Sequence, residues 1–523
     1  MGIPFYFKKL LTTFGKHVLK PVHIGSTCDV LYLDFNCLIH QCANAVVQAN
    51  PGLKQVEYEP LVIDGIIVGM LNLINVVRPT KMLYIGIDGL CPRAKMTQQR
   101  KRRYMSAWRK AQEKSTSTST IQQPDWDSNI ITPGTRFMTA LDAALADFIQ
   151  LNVTRFKFAI ELSPSNEPGE GEHKIFEYMR KNPNPNPSQH VIYGLDADLI
   201  LLSLSSPQNQ SIRLLRERPE FGAQVPASSK LDKAKYIMVD IGALARATLE
   251  YYGQTDNPGF IDDYVMLATL LGNDFVPPLS YLNIRDNGIE MVVDAYRECV
   301  AMALGQANQN LIHPETKQLD IPLLDDVIGA LAKKEDHRMT EACNRYYNSP
   351  PIPQDAQQPD TYPQYHKHMP AIQGRDWRAK YYAGLFSPGT APEAIAADYA
   401  DGLCWVHAYY FKHDASLTWY YPHAYSPLAS DVQFRALANT EKIKHTRLSI
   451  YNALVQNCEL QLLAVLPPSS SSLLKDASRM NDIALGCAHF YPTHFAIHTF
   501  LKTYLWECSP VLPTLELFDF VSH

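Results

Sequence analysis

The sequence has no surplus of positive charge. Its 48 lysines and arginines face 53 acids, giving a formal net charge of −5 and a pI near 6.4. A global basic field for nucleic acid is excluded, so any polyanion site has to be a local patch. The 10 cysteines form no CxxC pair and no zinc-finger spacing. Scattered thiols of this kind point to a reducing compartment. The opening MGIPFYFKKL lacks the long apolar segment and small-residue cleavage site of a secretory signal. Gly2 suits myristoylation, but Tyr6 stands where that signal needs Ser or Thr. No stretch approaches the ~18 apolar residues of a membrane span, and no internal repeat is visible. The expectation is a soluble intracellular protein without a membrane partner, cytoplasmic rather than nuclear.

What is present is ordinary globular material. The chain has 523 residues, 46% hydrophobic and 19% charged, enough for a large core and roughly two to four domains. Up to about residue 302, short apolar runs alternate with helical patterns, the signature of an α/β fold with a parallel sheet. Candidate strands are Val30–Phe35, Met82–Ile87, Phe156–Ile160, His190–Tyr193 and Tyr236–Val239; candidate helices include Arg93–Glu113 and Gly171–Lys181. Ser115–Thr120 reads as a polar loop. Residues 303–373 contain a Gln/Asn-rich stretch, a charged helical piece and then SPPIPQDAQQPDTYPQ, which predicts a linker. Residues 374–523 form a second, aromatic-rich region expected to pack on the first.

Acids recur where strands end. Asp34 closes LYLD, Asp88 closes YIGID, and Asp196 and Asp198 follow VIYG. Glu170 and Glu172 stand where a loop enters a helix, and Asp274 where a helix gives way to a loop. A lone aspartate in such a place is more often a helix cap or turn residue. Seven of them are harder to explain that way. In open α/β sheets ligands bind beyond the carboxyl ends of strands. Clustered carboxylates raise one another's pKa unless a cation neutralises them. An all-oxygen set suits Mg²⁺ or Mn²⁺ rather than zinc, and two such ions can support phosphodiester cleavage.

A basic segment, RAKMTQQRKRRYMSAWRK, follows Asp88. On a helix Lys95, Gln99, Arg102 and Arg103 stand at i, i+4, i+7 and i+8, on one face. A solvated charged face or a nuclear-import signal explains such a run by itself. Beside a strand-end acid in an acidic protein, four convergent donors can instead hold a terminal phosphate.

These motifs resemble one family throughout. LDFNCLIH, IDGLCPRAKMTQQRKRR, ITPGTRFM, EPGEGEHKI, YGLDADLI, LLRE and LLGNDFVP are similar, in order, to motifs of the Xrn/Rat-type 5′→3′ exoribonucleases. So are WRAKYY, DGLCWVHAYYF, WYYPHAYSPLASD and QLLAVLPPSSSSLL further on. The resemblance implies a core related to PIN-like and flap-nuclease domains. It implies that Asp34, Asp88, Glu170, Glu172, Asp196, Asp198 and Asp274 are catalytic and hold two Mg²⁺ ions, for which Mn²⁺ can substitute. It implies that Lys95, Gln99, Arg102 and Arg103 bind a 5′-monophosphate, and that His40 and Trp419 stack on single-stranded RNA. Leu417 stands where the family usually has a further tryptophan. The implied activity is processive 5′→3′ hydrolysis of single-stranded 5′-monophosphorylated RNA to mononucleotides, by a monomer whose protein partners the residues do not name. A flap endonuclease using the same chemistry and an inactive RNA-binding scaffold are the rivals. Without the resemblance, His40 reads as a packed helix residue, and Trp405 and Trp419 as core.

Overall fold

A computed structural model describes residues 2–22, 25–116, 125–183, 189–218, 235–302, 310–348, 372, 374–434, 458–474 and 488–514. The chain opens with α1 (Tyr6–Val18), β1 (Leu19–Pro21), β2 (Ser26–Asp34), α2 (Phe35–Ala49), α3 (Gln55–Val76), β3 (Val77–Gly86) and α4 (Arg93–Thr116). It continues through α5 (Arg136–Asn152), β4 (Ala159–Ser163), α6 (Gly171–Lys181), β5 (His190–Tyr193), α7 (Asp198–Ser205), β6 (Ile212–Glu217) and β7 (Tyr236–Asp240).

The sheet order is β1-β7-β6-β5-β2-β3-β4. Neighbours from β6 to β4 pair in parallel, whereas β7 is antiparallel to both β6 and β1. The α/β reading therefore holds, with an antiparallel edge added. Side chains alternate across the pleat. Leu31, Leu33, Leu83 and Ile85 face one core with α2, α3 and α5. Tyr32, Tyr84, Ile192 and Leu214 face the other, with α1, α6 and α7. Strand order reverses at β2, whose neighbours are β3 and β5. That reversal is where an open sheet leaves a crevice at its carboxyl edge.

After the sheet come α8 (Ile241–Tyr251), α9 (Phe260–Thr269), α10 (Gly288–Met302), α11 (Ile321–Ala332) and α12 (Glu335–Asn348). Residues 310–348, inside the expected linker 303–373, are thus folded. Asp320 caps α11 by accepting from the Leu323 N–H at 2.9 Å, and Leu324, Val327, Ile328 and Met339 are core residues. The proline-dense stretch 349–371 lies outside the described residues, as does the 117–120 part of the polar run. The second region begins with α13 (Trp377–Leu385) and α14 (Pro392–His407), which runs into a π-turn over Ala408–Lys412. It then adds α15 (Cys458–Val465) and a small hairpin of β8 (Ile497–His498) and β9 (Ser509–Pro510). Its residues Tyr399, Leu403, Tyr410 and Phe500 share one hydrophobic core with Ile3, Leu199 and Val276 of the first region.

One expectation needs correcting. By length and composition α3 is long and apolar enough to cross a membrane. It has a core-facing side: Tyr58, Val62, Ile66, Met70 and Leu73 recur at helical spacing and are buried against the sheet and α2.

Candidate active site

Backbone proximity explains why the acids converge. Asp34 ends β2 in register with Gly86 of β3. A β-carbon on Gly86 would stand 2.9 Å from the Gly171 carbonyl oxygen, and one on Gly171 would stand 2.9 Å from that of Gly86 and 3.0 Å from Asp34 Oδ1. Only two glycines allow the end of β3 to touch the start of α6 this closely. The contact brings Glu170 and Glu172, at the α6 N-terminus, to Asp34 and Asp88. It is fastened by the Gly171 N–H, which donates to Asp88 Oδ1 at 2.7 Å. Asp88 is held from behind as its own N–H donates to Asn36 Oδ1 at 3.1 Å. Asp196 and Asp198 enter from beyond β5, on the far side of the switch. Asp274 comes from the loop after α9, where Asn273 Oδ1 accepts from the N–H groups of Phe275 and Val276.

The electrostatics divide the acids: against burial, Asp196 and Asp274 are held below the usual carboxylate range by nearby cations, Lys95 among them, whereas four others are held above it. Burial, then the charge of Asp88, pushes the Asp34 carboxyl up to about 7. Burial, then Asp196 and Asp274, does the same to Asp198, also to about 7. Glu170 and Glu172 are likewise held above the usual carboxylate range, chiefly by burial. Among the described residues Lys95 pairs with two of these acids. Lys95 Nζ is 2.6 Å from Glu170 Oε2 and 3.0 Å from Asp274 Oδ2. Burial works against its charge, yet Glu170, Asp274 and Glu172 raise its pKa well above the ordinary lysine value.

Lys95 was expected in the phosphate set, and its contacts here are with acids. Among the described residues, no three acids, histidines or cysteines already form a coordination shell. The donor chemistry still fits a hard divalent ion. The convergent acidic donors are all carboxylates, and the buried Glu172 Oε1 has no hydrogen-bond partner among the described residues.

The remaining phosphate candidates lie further along α4. Gln99 and Arg103 are buried, and Gln99 Oε1 and Arg103 Nη1 have no partner among the described residues. Burial, then the neighbouring charge of Arg102, pulls the Arg103 guanidinium down to about 9. Arg102 is exposed. His40 of α2 stands by this pair: burial, then Arg102, depresses its imidazole to about 4. Arg102 and Arg103 are thus the cations that act on His40, although Arg102 is exposed and Arg103 buried.

Trp419 is half-buried in an internal stack. Its ring lies 5.0 Å from that of Trp405, and Trp405 lies 5.1 Å from Tyr409, both nearly parallel. Trp405 is core, as its helical pattern predicts. One face of Trp419 is therefore taken by protein.

Sequence reasoning missed the two tyrosines that finish the site. Tyr409 OH donates to Glu170 Oε1 at 2.8 Å, and Tyr410 OH donates to Asp198 Oδ1 at 2.7 Å. Both come from the π-turn, so the second region reaches into the acid cluster of the first. The only signal was the adjacent tyrosine pair in HAYYF. Lys174 was missed too; its ammonium donates to the carbonyls of Ile87 and Pro164, pinning the loops beside Asp88 and Ser163.

A parallel sheet with acids gathered at its carboxyl edge defines a PIN-like α/β domain. Residues 1–218 match the family description "XRN 5′-3′ exonuclease N-terminus", and residues 254–337 and 372–519 match "Xrn1 helical domain". The chain is 29% identical to the 5′-3′ exoribonuclease 2 homolog of Drosophila melanogaster, over 99% of this chain and 70% of the relative. It is 26% identical to 5′-3′ exoribonuclease 1 of Homo sapiens, over 99% of this chain and 33% of the relative. Against 5′-3′ exoribonuclease 2 of Gallus gallus the identity is 27%, over 93% and 64%. The chain belongs to the XRN 5′-3′ exonuclease family, and it spans from a third to about two thirds of the human and chicken relatives' lengths.

Proposed function

We propose that this chain is a divalent-metal-dependent 5′→3′ exoribonuclease acting on single-stranded RNA with a 5′-monophosphate. One observation carries the reading. A single helix, α4, touches the acid cluster through Lys95 and, one and two turns on, carries Gln99 and Arg103, whose Oε1 and Nη1 have no partner among the described residues, near Arg102 and His40. Gln99 and Arg103 stand ~6 and ~12 Å along the helix from Lys95, so a terminal phosphate seated on that second group would direct the first phosphodiester toward the acids. Cleavage there releases a mononucleotide and leaves a new 5′-monophosphate, so each product strand is the next substrate.

Asp34, Asp88, Glu170, Glu172, Asp196, Asp198 and Asp274 would hold two Mg²⁺ or Mn²⁺ ions. Bound there, such ions stabilise the attacking and leaving oxygens of the phosphodiester. Tyr409 and Tyr410 orient Glu170 and Asp198. A cavity of about 1360 Å³ opens from Arg102, Asp196 and Asp274 and runs past Phe5, Arg285 and Trp506. It offers the rest of the strand a path with cationic and aromatic walls, which grip any base alike. The chain works as a monomer in this reading.

The test is a digestion series of RNAs differing only in their 5′ group. The monophosphate is degraded to mononucleotides, the triphosphate and hydroxyl at least roughly tenfold more slowly, and chelator stops all three. Equal rates overturn the phosphate pocket. Short oligomers as first products overturn the exonuclease reading in favour of a flap-type endonuclease.

A further inference from the structure

The cavity wall contains a group that neither the acid cluster nor the phosphate site uses. Gln98 lines the cavity. Its Oε1 and Nε2 are both buried, and neither has a hydrogen-bond partner among the described residues. Proteins seldom leave both ends of a buried carboxamide unsatisfied, because nothing then replaces the lost water.

Its place on α4 says what the missing partner is. Lys95, one turn earlier, contacts Glu170 and Asp274. Arg102, one turn later, lines the same cavity. At ~1.5 Å rise per residue, Lys95 and Arg102 are ~10 Å apart along the axis, and Gln98 lies between them on a shared face. With the terminal phosphate at Gln99, Arg102 and Arg103 and the scissile phosphate at the acids, the first ribose passes the turn that carries Gln98. A ribose 2′-hydroxyl is both donor and acceptor, and a carboxamide offers one of each. A deoxyribose offers neither. We propose that the Gln98 carboxamide reads the 2′-hydroxyl of the first nucleotide and thereby sets the preference for RNA over DNA. The inference rests on the exonuclease reading above.

The experiment compares two 5′-monophosphorylated RNAs that differ only by a 2′-deoxy first nucleotide. A third RNA carries the deoxy change at the fourth nucleotide. Each is cut by the wild-type chain and by Gln98→Leu, with Gln98→Asn as a second variant should the leucine chain not fold. For the wild type, the first-position deoxy change lowers kcat/KM by roughly five- to tenfold, the worth of one hydrogen bond. For Gln98→Leu, kcat/KM on all-ribose RNA drops by the same factor and the first-position penalty disappears, so the two losses do not add. In the first cleavage the fourth-position change is insensitive to the variant; its penalty arises only after three nucleotides have been removed. Additive losses, or an equal fall on both substrates, overturn the assignment. A wild-type chain that cuts RNA with no first-position penalty overturns it while leaving the exonuclease reading intact. A chain that cuts no 5′-monophosphorylated strand defeats the exonuclease reading itself.

Discussion

Tyr410 sets its hydroxyl 2.7 Å from Oδ1 of Asp198, joining positions 212 residues apart in sequence. Tyr409 makes the matching bond to Glu170 at 2.8 Å. Hydrogen bonds to charged groups contribute roughly 1.5–3 kcal/mol. Tyr410→Phe and Tyr409→Phe should each weaken Mn²⁺ binding by about tenfold or more while the fold persists. Calorimetric titration with Mn²⁺, beside a thermal melt, measures both; unchanged affinity in both variants would remove the orienting role.

Gly2 is in the left-handed region at φ +53°, and a β-carbon there would stand 2.4 Å from Asp198 Oδ1. Gly2→Ala has to displace that carboxylate or the N-terminal segment. The expected result is a loss of cleavage on the order of a hundredfold, with little change in melting temperature because the position lies before α1. Full activity in Gly2→Ala would mean that the segment moves aside freely.

Glu172 is buried among acids, and its Oε1 has no hydrogen-bond partner among the described residues. Glu172→Gln keeps its shape and removes a group whose ionisation burial and the neighbouring acids oppose. Without added metal the variant should melt higher than wild type, by about 1 kcal/mol of stability, and it should not cleave. Asp198→Ala should also be inactive. An active variant at either position would remove it from the metal set.

Asp263 is far from this chemistry. It accepts from Tyr296 OH, Asn310 Nδ2 and the Ile312 N–H. Burial outweighs those bonds and lifts its carboxyl to about 6. The unfolded chain releases this proton near pH 4, the folded chain near pH 6. Between the two the folded chain holds more protons, so stability falls as pH rises through that window and levels above it. The difference in stability between wild type and Asp263→Asn should therefore shrink as pH rises from 4 to 6, by on the order of 2 kcal/mol. Denaturant melts across that range read it; a constant difference would refute the shift.

Trp419, Trp405 and Tyr409 form one continuous stack that ends on Glu170. Trp419→Ala should lower stability by about 2–3 kcal/mol and slow cleavage together, since the loss propagates to Tyr409. A variant that melts like wild type but binds RNA weakly would instead mean that Trp419 meets the substrate directly.

Much of the sheet was legible because its strands are aliphatic runs that stop at an acid. His190–Tyr193 and Gly171–Lys181 fall where the pattern places them. β1 escaped notice because it has three residues and one is proline. β6 escaped because IRLLRE reads as amphipathic, although Arg216 is buried, donating to the carbonyls of Leu195 and Asp196. The acids were readable one by one. Their convergence was not, since it depends on Gly86 meeting Gly171. The helix-face spacing of Lys95 and Arg103 suggested one pocket, whereas Lys95 turns toward Glu170 and Asp274. No propensity announces a π-turn, so Tyr409 and Tyr410 stayed hidden.

The hydroxyls of Tyr409 and Tyr410 also fix an order of assembly. A ribosome makes every one of the acids, Asp34 to Asp274, well before it reaches the tyrosine pair. A nascent chain, or a fragment ending before residue 409, therefore exposes the carboxylates without the groups that orient them. The message being translated is itself RNA, and the site is completed only once synthesis has passed residue 410.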